Sequence, residues 1–335
     1  MMKTSIYKID SHLSVPKYKQ LVNNVINGIE SGQLKRGDKI ASLNQICTLN
    51  NMSRDTVMMA FNELKSRGVL NSQPGKGYFI QNTQIEIVQR IFVLFDELNS
   101  FKEDMYNSFL RHLDAYTEVD IYFHHFNLQV FSDLIKNAAG KYTSYVIMPG
   151  TFDHSSKIIG QLPADKVFIL DRKKDDLLQY PTIFQDFEND VYEALSANAE
   201  LLKKYDKIIL VHPGGKEPEE RVTGFLRFVN KVVTDFEVIA DIKNLEIKKG
   251  RLYLVPSDRD LVKLIKIAEK NNFMLGTDVG VISFNDTVLK EVVAGGISAI
   301  STNFFEMGRI LADMIKTKSD KTIRNNWLFA SRNSI

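Results

Sequence analysis

The sequence predicts a multi-domain α/β protein, with an N-terminal winged helix-turn-helix and a two-lobed body of doubly wound parallel sheets. Three observations predict it. Helix and hairpin signals fill residues 16–80. From Arg90 onward, apolar runs alternate with segments of helical length. Charge is divided unevenly: residues 1–80 hold 11 Lys and Arg against 5 Asp and Glu, whereas the whole 335-residue chain carries only +2. A small basic head on a mildly acidic remainder points to a polyanion as partner of the head alone.

Composition narrows the class. With 44% hydrophobic and 25% charged residues the chain is an ordinary globular protein, neither disordered nor fibrous. Its single cysteine, Cys47, excludes an internal disulfide and a thiolate zinc cluster and fits a reducing compartment. The start, MMKTSIYKID, offers no apolar stretch for a signal peptide. No run approaches the ~20 apolar residues of a membrane helix. The expectation is a cytoplasmic protein without a membrane partner.

In the head, Tyr18, Leu21, Val22, Val25, Ile26 and Ile29 recur at helical spacing after Pro16, and Gly32 is a natural stop. Ser42 caps a short helix carrying Leu43, Ile46 and Leu49, which Asn50-Asn51 breaks. Ser53 caps a third helix with Val57, Ala60, Phe61 and Leu64 on one stripe, ended by Gly68. Strand 69–73, the loop Pro74-Gly75-Lys76-Gly77 and strand 78–80 make the hairpin of a wing. The polar junction that follows suggests a head at 1–81, a linker at 82–89 and a body at 90–335.

The body offers strand runs at 90–96, 119–124, 144–149 and 166–171, then at 207–213, 236–241, 252–256 and 279–286. Continuous Val, Ile, Leu and Phe runs between helices indicate parallel sheets covered on both faces. A gap near 172–205 divides the strands four and four, predicting two lobes facing a cleft. Ligands of such folds sit outside the carboxyl ends of the strands.

Residues 16–80 carry SGQLKRGDKI, MSRDTVMMAFNELKSRGVL and GKGYFI in an order and spacing that resembles the DNA-binding domain of the GntR family of bacterial regulators. The remainder, through ERVTGF, VGVISFND, GGISAISTNFFEMGRILADMI and LFASRNSI, resembles the effector domain of the LacI family, which has the periplasmic sugar-binding-protein fold. The combination is similar to regulators of the arabinose-repressor type. It implies a repressor of carbohydrate use that binds double-stranded operator DNA as a homodimer and senses a sugar. Two-fold symmetry then requires half-sites one turn, ~34–36 Å, or multiples apart.

A recognition helix enters the major groove with its first turn, so Ser53, Arg54, Asp55 and Thr56 are the candidate readers. Arg54 can fork onto guanine, while Thr56 and the free amides favour phosphate. Gly75, Lys76 and Gly77 permit close approach of the wing, with Lys76 entering the minor groove. Two departures from the family pattern stand out: Ala41-Ser42-Leu43-Asn44 replaces Pro-Ser-Glu-Arg, and Met58 replaces an arginine. Ser42 and Asn44 remain candidates, Asn44 as a reader of adenine.

A sugar needs paired polar groups of fixed direction on a concave apolar wall. The strand ends provide Asp96, Asp171, Asn285 and Asp286, and Arg221 opens the helix after Pro213-Gly214-Gly215. The resemblance implies Arg221 and Asn285 as sugar ligands, although the family mostly has Asp at the latter, and it adds Ser257, Thr302 and Phe304.

Enzyme chemistry has little support. His124 and His125, adjacent on an expected strand, would point to opposite faces and could not share a metal. Cys47 and Trp327 read as packing. No cofactor or metal is expected. The alternatives are a regulator sensing a non-sugar or phosphorylated molecule and, more remotely, a carbohydrate-active enzyme with a DNA-binding head. An aminotransferase-like body would be longer and would require a Schiff-base lysine.

Overall fold

The structure, a computed structural model, describes residues 4–10, 15–83, 89–114, 117–232, 235–243 and 245–335. The head comprises α1 (Lys17–Glu30), α2 (Leu43–Asn50), α3 (Arg54–Ser66), β1 (Leu70–Gln73) and β2 (Gly77–Ile80). The expected caps hold. Gly32 follows α1 at φ +70°, a left-handed turn that glycine adopts without steric cost. Ser42 and Gln45 form a reciprocal capping box at the start of α2, and Asn51 closes it at φ +48°. Leu21, Val22, Val25, Ile46, Val57, Phe61 and Leu64 are fully buried in one core.

Two details differ from expectation. Leu49 is exposed rather than buried, because α2 presents only Ile46 fully to the core. A 3-10 turn at Thr4–Tyr7, without a periodic signal of its own, packs Ile6 and Tyr7 into the head. Asn50 ties it down, donating to the Tyr7 carbonyl at 2.7 Å and accepting from the Ile9 amide at 3.0 Å. Of the expected linker 82–89, residues 84–88 lie outside the described residues.

The body runs β3 (Gln89–Phe95), α4 (Ser100–His112), β4 (Thr117–Phe123), α5 (Leu128–Ala138), β5 (Ser144–Ile147), α6 (Ser156–Ile159), β6 (Val167–Asp171) and β7 (Thr182–Phe184). It continues with α7 (Phe187–Ala197), α8 (Ala199–Leu202), β8 (Lys207–Val211), α9 (Glu220–Val232), β9 (Asp235–Ile239), β10 (Arg251–Val255) and α10 (Asp258–Lys270). Last come β11 (Val279–Phe284), α11 (Val288–Val292), β12 (Ser298–Thr302), α12 (Phe304–Thr317), β13 (Thr322–Arg324) and β14 (Trp327–Ala330). One six-stranded sheet has the order β13-β7-β6-β5-β3-β4, the other β14-β12-β11-β10-β8-β9. Pairing is parallel from β9 through β12, and only β14 joins antiparallel.

All eight expected strands are present. Four more, β7, β12, β13 and β14, three to five residues long, are not among the expected strands. One of them, β7, falls inside the stretch that read as a gap. β4 ends at Phe123, so His124 and His125 lie in the turn beyond it and not on the strand. His125 takes φ +48°, while the buried His124 ring accepts from the Phe126 amide at 3.2 Å. Trp327 packs on the second sheet's core and donates to Glu193 at 2.7 Å. No helix among the described residues is long and apolar enough to cross a membrane.

The chain separates into two compact units. One comprises Met1–Leu94, Asp114–Val146 and His154–Val167, and therefore the whole head. The other comprises Phe95–Leu113, Ile147–Asp153 and Phe168–Ile335.

Candidate nucleic-acid interface and effector cleft

At the start of α3, Ser53 accepts from the Thr56 amide at 3.2 Å, and the two hydroxyls lie 2.7 Å apart. This pair closes the helix end and leaves Arg54 and Asp55 exposed beside it. No ion pair holds Arg54 among the described residues, so its guanidinium is available to a base or phosphate. Ser42 is committed to its cap, accepting from the Gln45 amide at 3.3 Å, while Asn44 stands exposed on the next turn. Met58, in place of the family's arginine, has a packing role. The Tyr78 hydroxyl donates to its sulfur at 4.0 Å, and Tyr78 meets Phe61 edge-on at 4.6 Å, fixing wing to helix.

Lys76 is exposed at the wing tip between Gly75 at φ +73° and Gly77 at φ +107°. At φ +107° this turn favours glycine for its conformation, and the Lys39 side chain passes close by, its Cε 3.2 Å from where a Cβ on Gly77 would lie. Lys39 bridges to Phe79 along β2 and brings a second exposed cation to the wing. Sequence reasoning missed it. The turn Arg36-Gly37-Asp38 before it carried the signal, since a reversal there returns the chain alongside the hairpin.

In the second unit, a cleft of about 620 Å³ is walled by the segments that follow β5, β6 and β7 and by the loop before α9. Gln185 and Phe187 also border a cavity of about 20 Å³, room for one water, whose other walls include Arg221, Asn285 and Thr302. The structure thus brings three predicted residues together. Arg221 is 8% exposed, 2.8 Å from Glu217, and lies over the rings of Phe284 and Phe187 at 4.7 and 5.4 Å. Burial presses its pKa down and Glu217 opposes this, and a guanidinium remains charged throughout. The Asn285 side chain forms no hydrogen bond among the described residues. Its backbone is left-handed at φ +60°, as is that of Asp171 at +81°. Such conformations cost about 1–3 kcal/mol each and gather at binding sites.

Asp171 joins through Gln185, whose amide donates to it at 2.5 Å and accepts from the Thr302 hydroxyl at 2.7 Å. Desolvation raises the Asp171 pKa, and Lys102 counters it. Asp96 is held by the same lysine in a buried ion pair and accepts from the Glu97 amide at 2.6 Å. Asp190, also on the inner cavity, is pushed up to about 6 by burial, against the pull of Arg324 at 2.8 Å.

The remaining predicted residues lie elsewhere. Asp286 is gripped by both terminal nitrogens of Arg332 at 2.7 Å. With Phe304 it borders a third cavity of about 270 Å³, reached from Thr302. Phe304 stacks on Phe101 at 4.8 Å. Ser257 caps α10, accepting from the Asp260 amide at 3.4 Å, and borders none of these three cavities. Sequence reasoning missed Lys102, Gln185, Phe187 and Glu217. Gln185 and Phe187 follow the unrecognised β7. Glu217 stands four residues before Arg221, in the loop that leads into α9, a spacing that could have suggested the pair.

A winged helix-turn-helix joined to a body of two parallel-sheet lobes defines the class: a DNA-binding domain carried on a periplasmic-binding-protein-like fold. Residues 17–80 match the family described as "Bacterial regulatory proteins, gntR family", and the head is a GntR-type domain. It is 29% identical over 83 residues to the HTH-type transcriptional repressor YtrA of Bacillus subtilis (strain 168), covering 24% of this chain and 64% of that protein. It is 37% identical over 67 residues to the arabinose metabolism transcriptional repressor of Geobacillus stearothermophilus, covering 20% of this chain and 18% of that one. The chain therefore spans less than two thirds of either relative's length. The body shares its fold with a LacI family transcriptional regulator from Lactobacillus casei solved with bound glucose. The TM-score is 0.60 at 13% identity, covering 74% of this chain and all of that one.

Proposed function

We propose that the protein is a cytoplasmic, non-enzymatic transcriptional repressor of carbohydrate use. Its head, residues 1–81, binds double-stranded operator DNA as part of a homodimer. A linker at 82–89 joins it to an effector body at 90–335. Arg54 and the other residues opening α3 read the major groove, with Ser42 and Asn44 beside them. Gly75, Lys76, Gly77 and Lys39 place the wing on the backbone. The sugar enters the cleft, and where the cleft meets the small cavity at Gln185 and Phe187 it is met by Arg221, Asn285 and Thr302. Asp171 and Asp96 orient them through Gln185 and Lys102, and Asp286, Ser257 and Phe304 shape the surroundings.

The observation that carries this reading is Arg221: a buried guanidinium, flanked by two rings, that shares a small cavity with Asn285 and Thr302, while Gln185 and Phe187 border both that cavity and the open polar cleft. Guanidinium forks and amides bind vicinal hydroxyls with fixed direction. The names of the arabinose repressor and of the glucose-bound regulator support a sugar as effector. A thermal-shift screen of monosaccharides tests it, since ligand at 100 times its dissociation constant stabilises by ~2.7 kcal/mol. A rise in melting temperature with one sugar is expected. No rise with any would overturn the reading.

A further inference from the structure

The cleft is lined by six carboxylates against three cations, Arg172, Lys173 and Lys174. Arg172 lies 4.0 Å from Glu220 and over the Phe187 ring, and Lys174 donates to the Phe152 carbonyl. Lys173 stands exposed over Phe184. The cations around the lining are shared in the same way. Arg221 is occupied by Glu217. Arg324 serves Asp186, Asp190 and Glu193 at 3.6, 2.8 and 2.9 Å. Lys102 pairs with Asp96 and also compensates the buried Asp171. Glu188 has its own arginine, Arg227 at 2.5 Å, and the Glu219 carboxylate lies 3.0 Å from the His212 ring nitrogen. The balance is negative at the surface of the cleft, and the named groups behind it, four cations and four carboxylates, do not offset it.

We propose that the effector is a polyhydroxyl compound bearing an ammonium group, and that Glu217 sets this preference by occupying Arg221. The inference rests on the reading of the cleft as the effector site. A phosphate or carboxylate entering it meets Lys173 as the one lining cation that no carboxylate or carbonyl engages among the described residues. It must also shed water beside an excess of like charge. An ammonium meets that excess as attraction, in hydrogen bonds roughly twice as strong as neutral ones. Glu217 can accept from the ammonium while Arg221 turns its remaining N–H groups to the hydroxyls.

Calorimetry and thermal shift on the full chain decide it. Glucose, galactose, mannose and fructose are each compared as neutral sugar, amino sugar and 6-phosphate at one salt concentration. One amino sugar should bind roughly tenfold tighter than its neutral parent, a difference of about 1.4 kcal/mol, and its 6-phosphate should bind weakest. Glu217→Gln should remove most of that advantage and improve the phosphate. If Glu217→Gln fails to fold, Asp153→Asn on the exposed rim should weaken the amino sugar while sparing the neutral one. A 6-phosphate or a neutral sugar binding best would overturn the inference and leave the sugar reading standing. No binding by any of the twelve would overturn the sugar reading itself.

Discussion

In the head, Arg54, Asp55 and Lys76 stand exposed at one helix start and one hairpin tip, and no ion pair holds them among the described residues. Behind the cleft lining, Arg221, Asp171 and Asp190 are buried, and each is already held by another side chain. On the proposed reading the two regions meet different partners. DNA brings its own dense charge, and cations waiting in water for a phosphate cost little before it arrives. A small polar effector leaves water on binding, so the groups that receive it must be aimed in advance by a second ring of partners. Exposed groups confer affinity that salt screens. Buried, paired groups confer direction and selectivity.

Breaking a pair should therefore cost more in the cleft than removing a cation from the head. Arg221→Ala leaves Glu217 uncompensated beneath the surface and should destabilise the body by roughly 3 kcal/mol, the scale of a broken buried pair. It should also weaken the effector by at least roughly tenfold. Urea unfolding and an effector titration measure the two losses, and a stability equal to wild type would mean that the pair is effectively solvated. Arg54→Ala should leave the unfolding curve within about 0.5 kcal/mol of wild type yet lower operator affinity by ~1–3 kcal/mol. Gel-shift titration at fixed salt checks this, and equal binding by both proteins would remove Arg54 from the readers.

Smaller effects sharpen the comparison. Ser42→Ala removes the capping box of α2 and should cost the head about 1 kcal/mol in chemical unfolding. Lys76→Ala should weaken all DNA sequences alike and reduce the slope of log affinity against log salt by about one unit. A sequence-dependent loss would instead make Lys76 a base reader.

The same difference explains what could be read from the sequence. The head was legible almost residue by residue because its caps, stripes and wing glycines act within a turn or two along the chain. Lys39 escaped because its role depends on the chain returning beside β2. In the body, the eight continuous apolar strands announced themselves, whereas the three residues of β7 did not, and Gln185 and Phe187 beside them stayed hidden. Arg221 and Asn285 follow from strand ends and helix starts as well as from resemblance, Thr302 from resemblance alone, and the structure places the three on one small cavity. What the sequence could not show is which side chain holds which. Gln185 and Thr302 bond across 117 positions, and the grip of Arg332 on Asp286 spans 46. Ser257 comes from the resemblance alone, which does not show that its hydroxyl caps α10.

The central claim is that occupancy of the cleft controls the head. It is tested most directly by operator affinity of wild type and Arg221→Ala, each measured with and without the sugar found in the screen. A coupling free energy of about 1–3 kcal/mol is typical and corresponds to a shift of roughly 5- to 150-fold. The account predicts such a shift in wild type, unchanged unliganded affinity in Arg221→Ala, and loss of the shift at sugar concentrations that saturate the wild type. Identical wild-type operator affinity with and without saturating sugar would contradict it.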